Sequence, residues 1–440
     1  MHIPIDNLYD WISGISHDLL IYRFYPHGSK NLECLDQSDT RHAQRSWIDN
    51  MHLVPVICYD QEPLDHARYD NLNWQQLQSL CSVQWPNIPK YRTEHATQEF
   101  WEHLSKLNLA SVVPATMNDC CILLHTEQRS SNLDKYTQQN FVPAYWWSHA
   151  MIARDWYRFA EHDPRLNSSH TEYQYNFNIY SRAWDGTREY RLKFLEMLID
   201  RNLDNCSRTS FCDTDNVHYT QHQYNNQDFR VHDLSQFHSV TISSHSSASY
   251  DIEHYTQCAI DVVLETLFDD DRLYLTEKIL RPIACGKPFI LAATHGSLEY
   301  LRSYGFKTFN NIIDESYDTV VDPLKRLEAI VDVMIGISKL SPHARHQQQT
   351  EMLKICQHNR RHFFSAEFAD QVKNELWDNL MSAQAQVHQQ HCNGQNWLKE
   401  RHTRTSLSNS IIAEELGISR KDLTRILQWC QQRSTTPSQA

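Results

Sequence analysis

The residues best placed to do chemistry are concentrated in residues 262–309. There an apolar run ends at Glu265, an acidic loop follows, and Tyr274-Leu275-Thr276-Glu277-Lys278 opens a helix. A helix start offers free N–H groups and a partial positive charge, which suit a phosphate. Thr276 is a capping residue type. Lys278 adds a point charge at the same end. Glu277 is an acceptor for a ribose hydroxyl pair or for the edge of a base. The plain alternative is an ordinary helix start, with Glu277 and Lys278 on a solvated face. Asp269-Asp270-Asp271 contains D-x-D after an apolar strand, a spacing of carboxylates that suits an octahedral divalent metal held against a diphosphate. Inside this block a solvated loop is the favoured reading, and no metal site is assigned.

These residues need a scaffold of strands and crossover helices. Short apolar runs at 18–25, 52–59, 120–124 and 142–147 each end in polar residues, as buried parallel strands do. Helices are expected at 94–107 and 151–161, with Pro164 stopping the second. The segment 163–171 reads as a linker. A second alternating unit follows: a strand at 175–180, an amphipathic helix at 186–201, and strands at 238–242, 259–264 and 288–292. A helix over 274–285 carries Pro282, which should kink or end it near there. A helix at 297–304 and a short strand at 306–309 complete the unit. Residues 202–233 show no period and read as an irregular excursion. Two β/α units of similar size predict an α/β protein with two Rossmann-like, doubly wound domains facing a cleft. The expected domains are 1–165 and 172–340, then a helical extension at 341–391. A polar linker at 392–405 leads into a small helical module at 397–433.

Composition narrows the chemistry. The 440 residues include only 9 glycines, where average usage of ~7% would give about 31. No G-x-G-x-x-G or G-x-x-x-x-G-K-[ST] is present, so the common glycine-built phosphate cradles are excluded. The net charge of -13 argues against a generic polyanion binder. The twelve cysteines contain no C-x-x-C, and the 26 histidines contain no H-E-x-x-H. No apolar run approaches the ~18 residues of a membrane span, and the start of the chain lacks a signal-peptide pattern. The expectation is a cytoplasmic protein with reduced thiols and no membrane partner.

Taken together, Glu265, the Tyr274-Leu275-Thr276-Glu277-Lys278 run and Ala284-x-Gly286-x-Pro288 resemble the donor-site signature of α1,3-fucosyltransferases and related glycosyltransferases. Leu264-Glu265-Thr266 stands where that family has Phe-Glu-Asn or Phe-Glu-Ser, and the glycine spacing is shorter. The same block is similar to proteins common in marine phages. A second matching block lies at 181–198, where the family places an Arg at a helix start to hold the donor diphosphate. Arg188 fits that place, Arg191 lies one turn on, and Arg182 sits in the preceding loop. Arg188 and Arg191 have an alternative as surface partners of Glu189 or Glu196.

The resemblance covers residues 176–309. It implies a two-Rossmann (GT-B) glycosyltransferase that binds a UDP- or GDP-linked sugar as donor substrate and requires no cofactor. It also implies a carboxylate base on the N-terminal domain. Glu62 is the first candidate, followed by Asp60 and Glu127. Each has the alternative of a helix cap or a loop salt bridge.

Residues 411–427 have helix-turn-helix spacing, with Gly417 at the turn. Ser419, Arg420, Lys421 and Arg425 would lie on or near the recognition helix. Between residues 397 and 433, seven Lys/Arg face four acids, so this tail is basic on an acidic chain. That suits DNA docking, and with it an acceptor such as a hydroxymethylated base in phage DNA. An ordinary helical hairpin is the alternative for the tail. A glycan acceptor, or a DNA-binding regulator that senses a nucleotide-sugar without turnover, are the alternatives for the whole chain.

Overall fold

A computed structural model describes residues 12, 15, 19–24, 32–34, 54–59, 63–64, 121–138, 141–167, 173–181, 186–211, 238–239, 246–404, 420–421 and 424. The protein is mixed α/β, with two largely parallel sheets in two compact units. One unit comprises mainly residues 147–375 with the loop 126–131. The other takes in 9–125, 132–146 and 376–440. The stretch 163–171, expected as a linker, falls inside the first of these. There Asp163 is buried and accepts from Arg165 and from the Tyr250 hydroxyl.

The N-terminal sheet contains β1 (Leu19–Phe24), β2 (Leu32–Cys34), β3 (Val54–Tyr59), β4 (Cys121–His125) and β5 (Phe141–Tyr145). Their order is β2-β1-β3-β4-β5, with only β2 antiparallel to its neighbour. Pro143 lies on the terminal strand β5. An edge strand can lack one ladder N–H, which explains how a proline is accommodated there. Helix α1 (Asn132–Gln138) connects β4 and β5.

The second unit opens with helix α2 (Ser148–Trp156). Its sheet is entirely parallel: β6 (Tyr175–Ser181), β7 (Ser207–Phe211), β8 (His238–Ser239), β9 (Cys258–Leu264) and β10 (Phe289–Ala292), in the order β10-β9-β6-β7-β8. Every residue of β9, Cys-Ala-Ile-Asp-Val-Val-Leu, is buried. A central parallel strand covered on both faces requires this. Counted from its own first strand, the sheet runs 3-2-1-4-5, the order of doubly wound dinucleotide-binding sheets. The order reverses between β6 and β9, and such sheets bind ligands beyond the strand ends at that reversal.

The helices of this unit are α3 (Tyr190–Asp200), α4 (Ile252–Gln257), α5 (Glu277–Ala284), α6 (Ser297–Ser303), α7 (Pro323–Ser338) and α8 (Pro342–Phe364). A last helix, α9, runs Ala366–Arg404. Helix α5 ends two residues after Pro282, with Cys285 as its C-cap. The exit is a Schellman turn. Lys287 N donates to Pro282 O at 2.9 Å and Gly286 N to Ile283 O at 3.0 Å, with Gly286 at φ +66°.

Three sequence expectations need correction. Residues 202–211 are not irregular, because β7 forms there. Its Arg208 and Ser210 are buried yet bonded to each other at 2.8 Å, so a polar strand fits the interior. Residues 306–309 form no strand. Residues 392–404 continue α9 rather than forming a linker, and Gly394 does not interrupt the helix. Among the described residues no helix is long and apolar enough to cross a membrane. The helix expected at 94–107 lies outside the described residues.

Candidate functional site

At the reversal point, the loop after β9 returns to the strand through Glu265. This side chain is fully buried. Its Oε1 accepts from Thr276 N at 3.0 Å, and its Oε2 accepts from Thr276 Oγ1 at 2.6 Å and from Thr266 N at 3.3 Å. A hydroxyl has one hydrogen and two lone pairs. Because Thr276 gives its hydrogen to Glu265, its lone pairs face Lys278. The Lys278 backbone N–H reaches Thr276 Oγ1 at 3.3 Å, and the Lys278 ammonium reaches it at 3.1 Å. Thr276 is therefore the N-cap of α5, in extended conformation. The ammonium also contacts Thr266 Oγ1 and Glu277 Oε1, each at 3.3 Å.

Glu277, the first residue of α5, is only 7% exposed. Burial opposes its ionisation, but Lys278 and His149 beside it win and hold the carboxyl well below the usual range. His149 Nδ1 lies 3.3 Å from Glu277 Oε2, and His149 Nε2 lies 2.9 Å from the Tyr274 hydroxyl. Tyr157 also belongs here, donating its hydroxyl to Ser247 O at 2.7 Å. No spacing or motif in the sequence points to His149 or Tyr157. Both come from the segment just before the second sheet.

The start of α3 is built differently. A short 3-10 turn, Gly186–Arg188, precedes it, and no side chain caps it. Tyr190 Oη donates to Glu265 O at 2.6 Å. Arg191 is buried, and its Nη2 donates to Leu264 O at 2.8 Å and to Glu265 O at 3.1 Å. Burial lowers the Arg191 pKa. These two residues fasten α3 to the end of β9. Arg188 is partly exposed, and Glu196, a partner considered for it, lies 2.5 Å from Lys193. Arg182 lies outside the described residues.

A cavity of about 220 Å³ is lined by Ser181, Arg191, Glu277 and Lys278, and also by Asp261 and Arg281. Asp261 accepts from Asn178 Nδ2 at 2.9 Å, and burial raises its pKa. Arg281 lies over the Tyr180 ring at 4.2 Å.

The expected base Glu127 groups with this second unit rather than the N-terminal one. It is buried, with Oε1 3.2 Å from Arg272 Nη1. Its environment is thus the loop salt bridge named as its alternative, and a buried paired carboxylate is poorly suited to taking a proton. Asp60 and Glu62 lie outside the described residues, immediately beyond β3 in sequence. Asp270 of the acidic triplet accepts from Arg272 N and Nε, each at 2.9 Å. Asp271 pairs with His295 at 3.7 Å. Among the described residues no group of three or more His, Cys, Asp or Glu could hold a metal ion. In the tail, Arg420 and Lys421 are helical and exposed, while Ser419 and Arg425 lie outside the described residues.

The fold is that of an α/β protein with two largely parallel sheets, the second in doubly wound strand order. Comparison with protein-family models, curated proteins and solved structures returned no match.

Proposed function

We propose that the protein is a glycosyltransferase of the two-Rossmann (GT-B) type, using a nucleotide-sugar donor. The observation that carries this reading is the Glu265–Thr276–Lys278 chain. It fixes an ammonium and a capped helix start at the strand-order reversal, where a diphosphate is expected. Lys278 and the α5 N–H groups would take up charge on the leaving diphosphate. Arg188 would join them from the start of α3, and Glu277 would accept from the ribose. The carboxylate base is assigned to Glu62 or Asp60. A basic tail with exposed Arg420 and Lys421 favours DNA as the acceptor, through a hydroxymethylated base.

A donor screen tests the reading. Full-length protein is incubated with UDP- and GDP-sugars, with hydroxymethylated DNA among the acceptors, and released nucleotide is measured. Turnover with one donor is expected. Absence of hydrolysis and transfer with every donor would sink the enzyme reading and leave the sensor alternative. Removing residues 397–440 should weaken DNA binding and flatten its salt dependence, with donor hydrolysis retained.

A further inference from the structure

We propose that His149 is a positioning residue for this site. It holds one oxygen of Glu277 while Lys278 meets the other, and so sets the orientation in which the carboxylate is presented to a ribose hydroxyl pair. The proposal rests on the nucleotide-site reading above.

This helix start holds an electrostatic conflict. Glu277 and Lys278 are adjacent in sequence, and both line the same cavity. Left to themselves, an ionised carboxylate and an ammonium at this edge attract each other strongly, because the surrounding dielectric is low. Exclusive pairing would neutralise both groups a ligand needs. Lys278 Nζ does pair with Glu277 Oε1 at 3.3 Å, but it divides its contacts with the Thr266 and Thr276 hydroxyls. Glu277 likewise has a second partner. His149 is 3% exposed, sits in the first turn of α2, and approaches the other carboxylate oxygen at 3.3 Å.

The ring itself is held. Its Nε2 is 2.9 Å from the Tyr274 hydroxyl, and the two rings meet edge to face at 5.2 Å. An ionised Glu277 can only accept, so the His149 ring faces it with Nδ1, at an ion-pair distance of 3.3 Å, while Nε2 is held by the Tyr274 hydroxyl. The Tyr274 hydroxyl, the His149 ring and the Glu277 carboxylate thus follow one another in a buried row. Orientation of a working group through a held imidazole is a general device. The same loop is secured twice, at Tyr274 by His149 and at Thr276 by Glu265.

The experiment separates ribose recognition from diphosphate recognition. Binding of UDP, GDP, their 2′-deoxy analogues and inorganic pyrophosphate to the full chain is measured by titration calorimetry. For the native protein, the better ribonucleoside diphosphate should bind more tightly than its 2′-deoxy analogue. His149→Leu should weaken that ribonucleotide about tenfold and abolish the preference over the deoxy form, with pyrophosphate affinity held within about twofold. His149→Asn keeps a donor near the Nδ1 position and should restore most of the loss. Tyr274→Phe removes one hydroxyl and should give a partial loss in the same direction, which provides a readout if His149→Leu folds poorly. An unchanged ribose-to-deoxyribose ratio in His149→Leu or in Tyr274→Phe overturns the proposal and leaves the donor site standing. Loss of pyrophosphate binding in parallel with nucleotide would mark His149 as merely structural. Failure of the native protein to bind pyrophosphate and both nucleotides overturns the donor-site reading itself, and the role of His149 with it.

Discussion

Two helix starts flank the same strand-order reversal, and they use their polar residues in opposite ways. At α3, Tyr190 and Arg191 point into the protein and are engaged by the carbonyls of Leu264 and Glu265. At α5, Thr276 caps the helix and Lys278 rests on two hydroxyls and one oxygen of Glu277. A carbonyl held by a buried guanidinium is part of the frame. An ammonium resting on hydroxyls can exchange them for a phosphate at little cost. On the proposed donor-site reading, two cationic helix starts that look alike in sequence divide the work: Tyr190 and Arg191 fasten the first, and Lys278 makes the second a socket.

Five substitutions test that division. The largest effect is expected for Glu265→Ala, which strips three donors of their acceptor. Stability should fall by about 3 kcal/mol, with nucleotide binding lost as well, measured by denaturant unfolding and calorimetry. Arg191→Met comes next, at about 2 kcal/mol of stability, because two buried carbonyls lose a charged donor. Nucleotide affinity of the folded variant should hold within about threefold. A large affinity loss with no change in stability would invert the comparison. Lys278→Ala should show the converse: a Tm near that of the native protein, but about 30-fold weaker nucleotide binding, equivalent to about 2 kcal/mol. Thr276→Ala should be smallest, at about 1 kcal/mol of stability for a lost cap. Thr276→Ser, which keeps the hydroxyl, should sit close to the native protein in the same melts.

Much of this edge was legible in the sequence because local rules and tertiary structure agree there. An apolar run broken only by Asp261 gave β9, a capping threonine gave the start of α5, and Pro282 with Gly286 gave its end. Legibility failed where polar groups satisfy one another in the interior. β7 carries Ser207, Arg208, Thr209 and Ser210, all buried, and their type suggests a loop. Glu265 looked like a ligand residue by position, but its carboxylate is fully engaged by Thr266 and Thr276. His149 gave no signal because its two partners lie more than a hundred residues later in the chain, and only folding brings them together. The continuation of α9 across 392–404 was hidden by a polar composition that a long helix tolerates.

The last helix has a consequence for the order of events during synthesis. Residues 376–404 group with the N-terminal sheet, where Asn379 donates to Tyr145 O at 2.7 Å and Leu380 and Val387 are fully buried. Strands β1 to β5, within residues 19–145, therefore wait for a helical segment translated well after them. On a ribosome adding about 5–20 residues per second, the unit built around 147–375 can close while its predecessor in the chain is still incomplete. A fragment ending at residue 146 should accordingly be recovered as an aggregation-prone intermediate rather than as a folded domain, and supplying residues 366–404 in trans should improve its recovery.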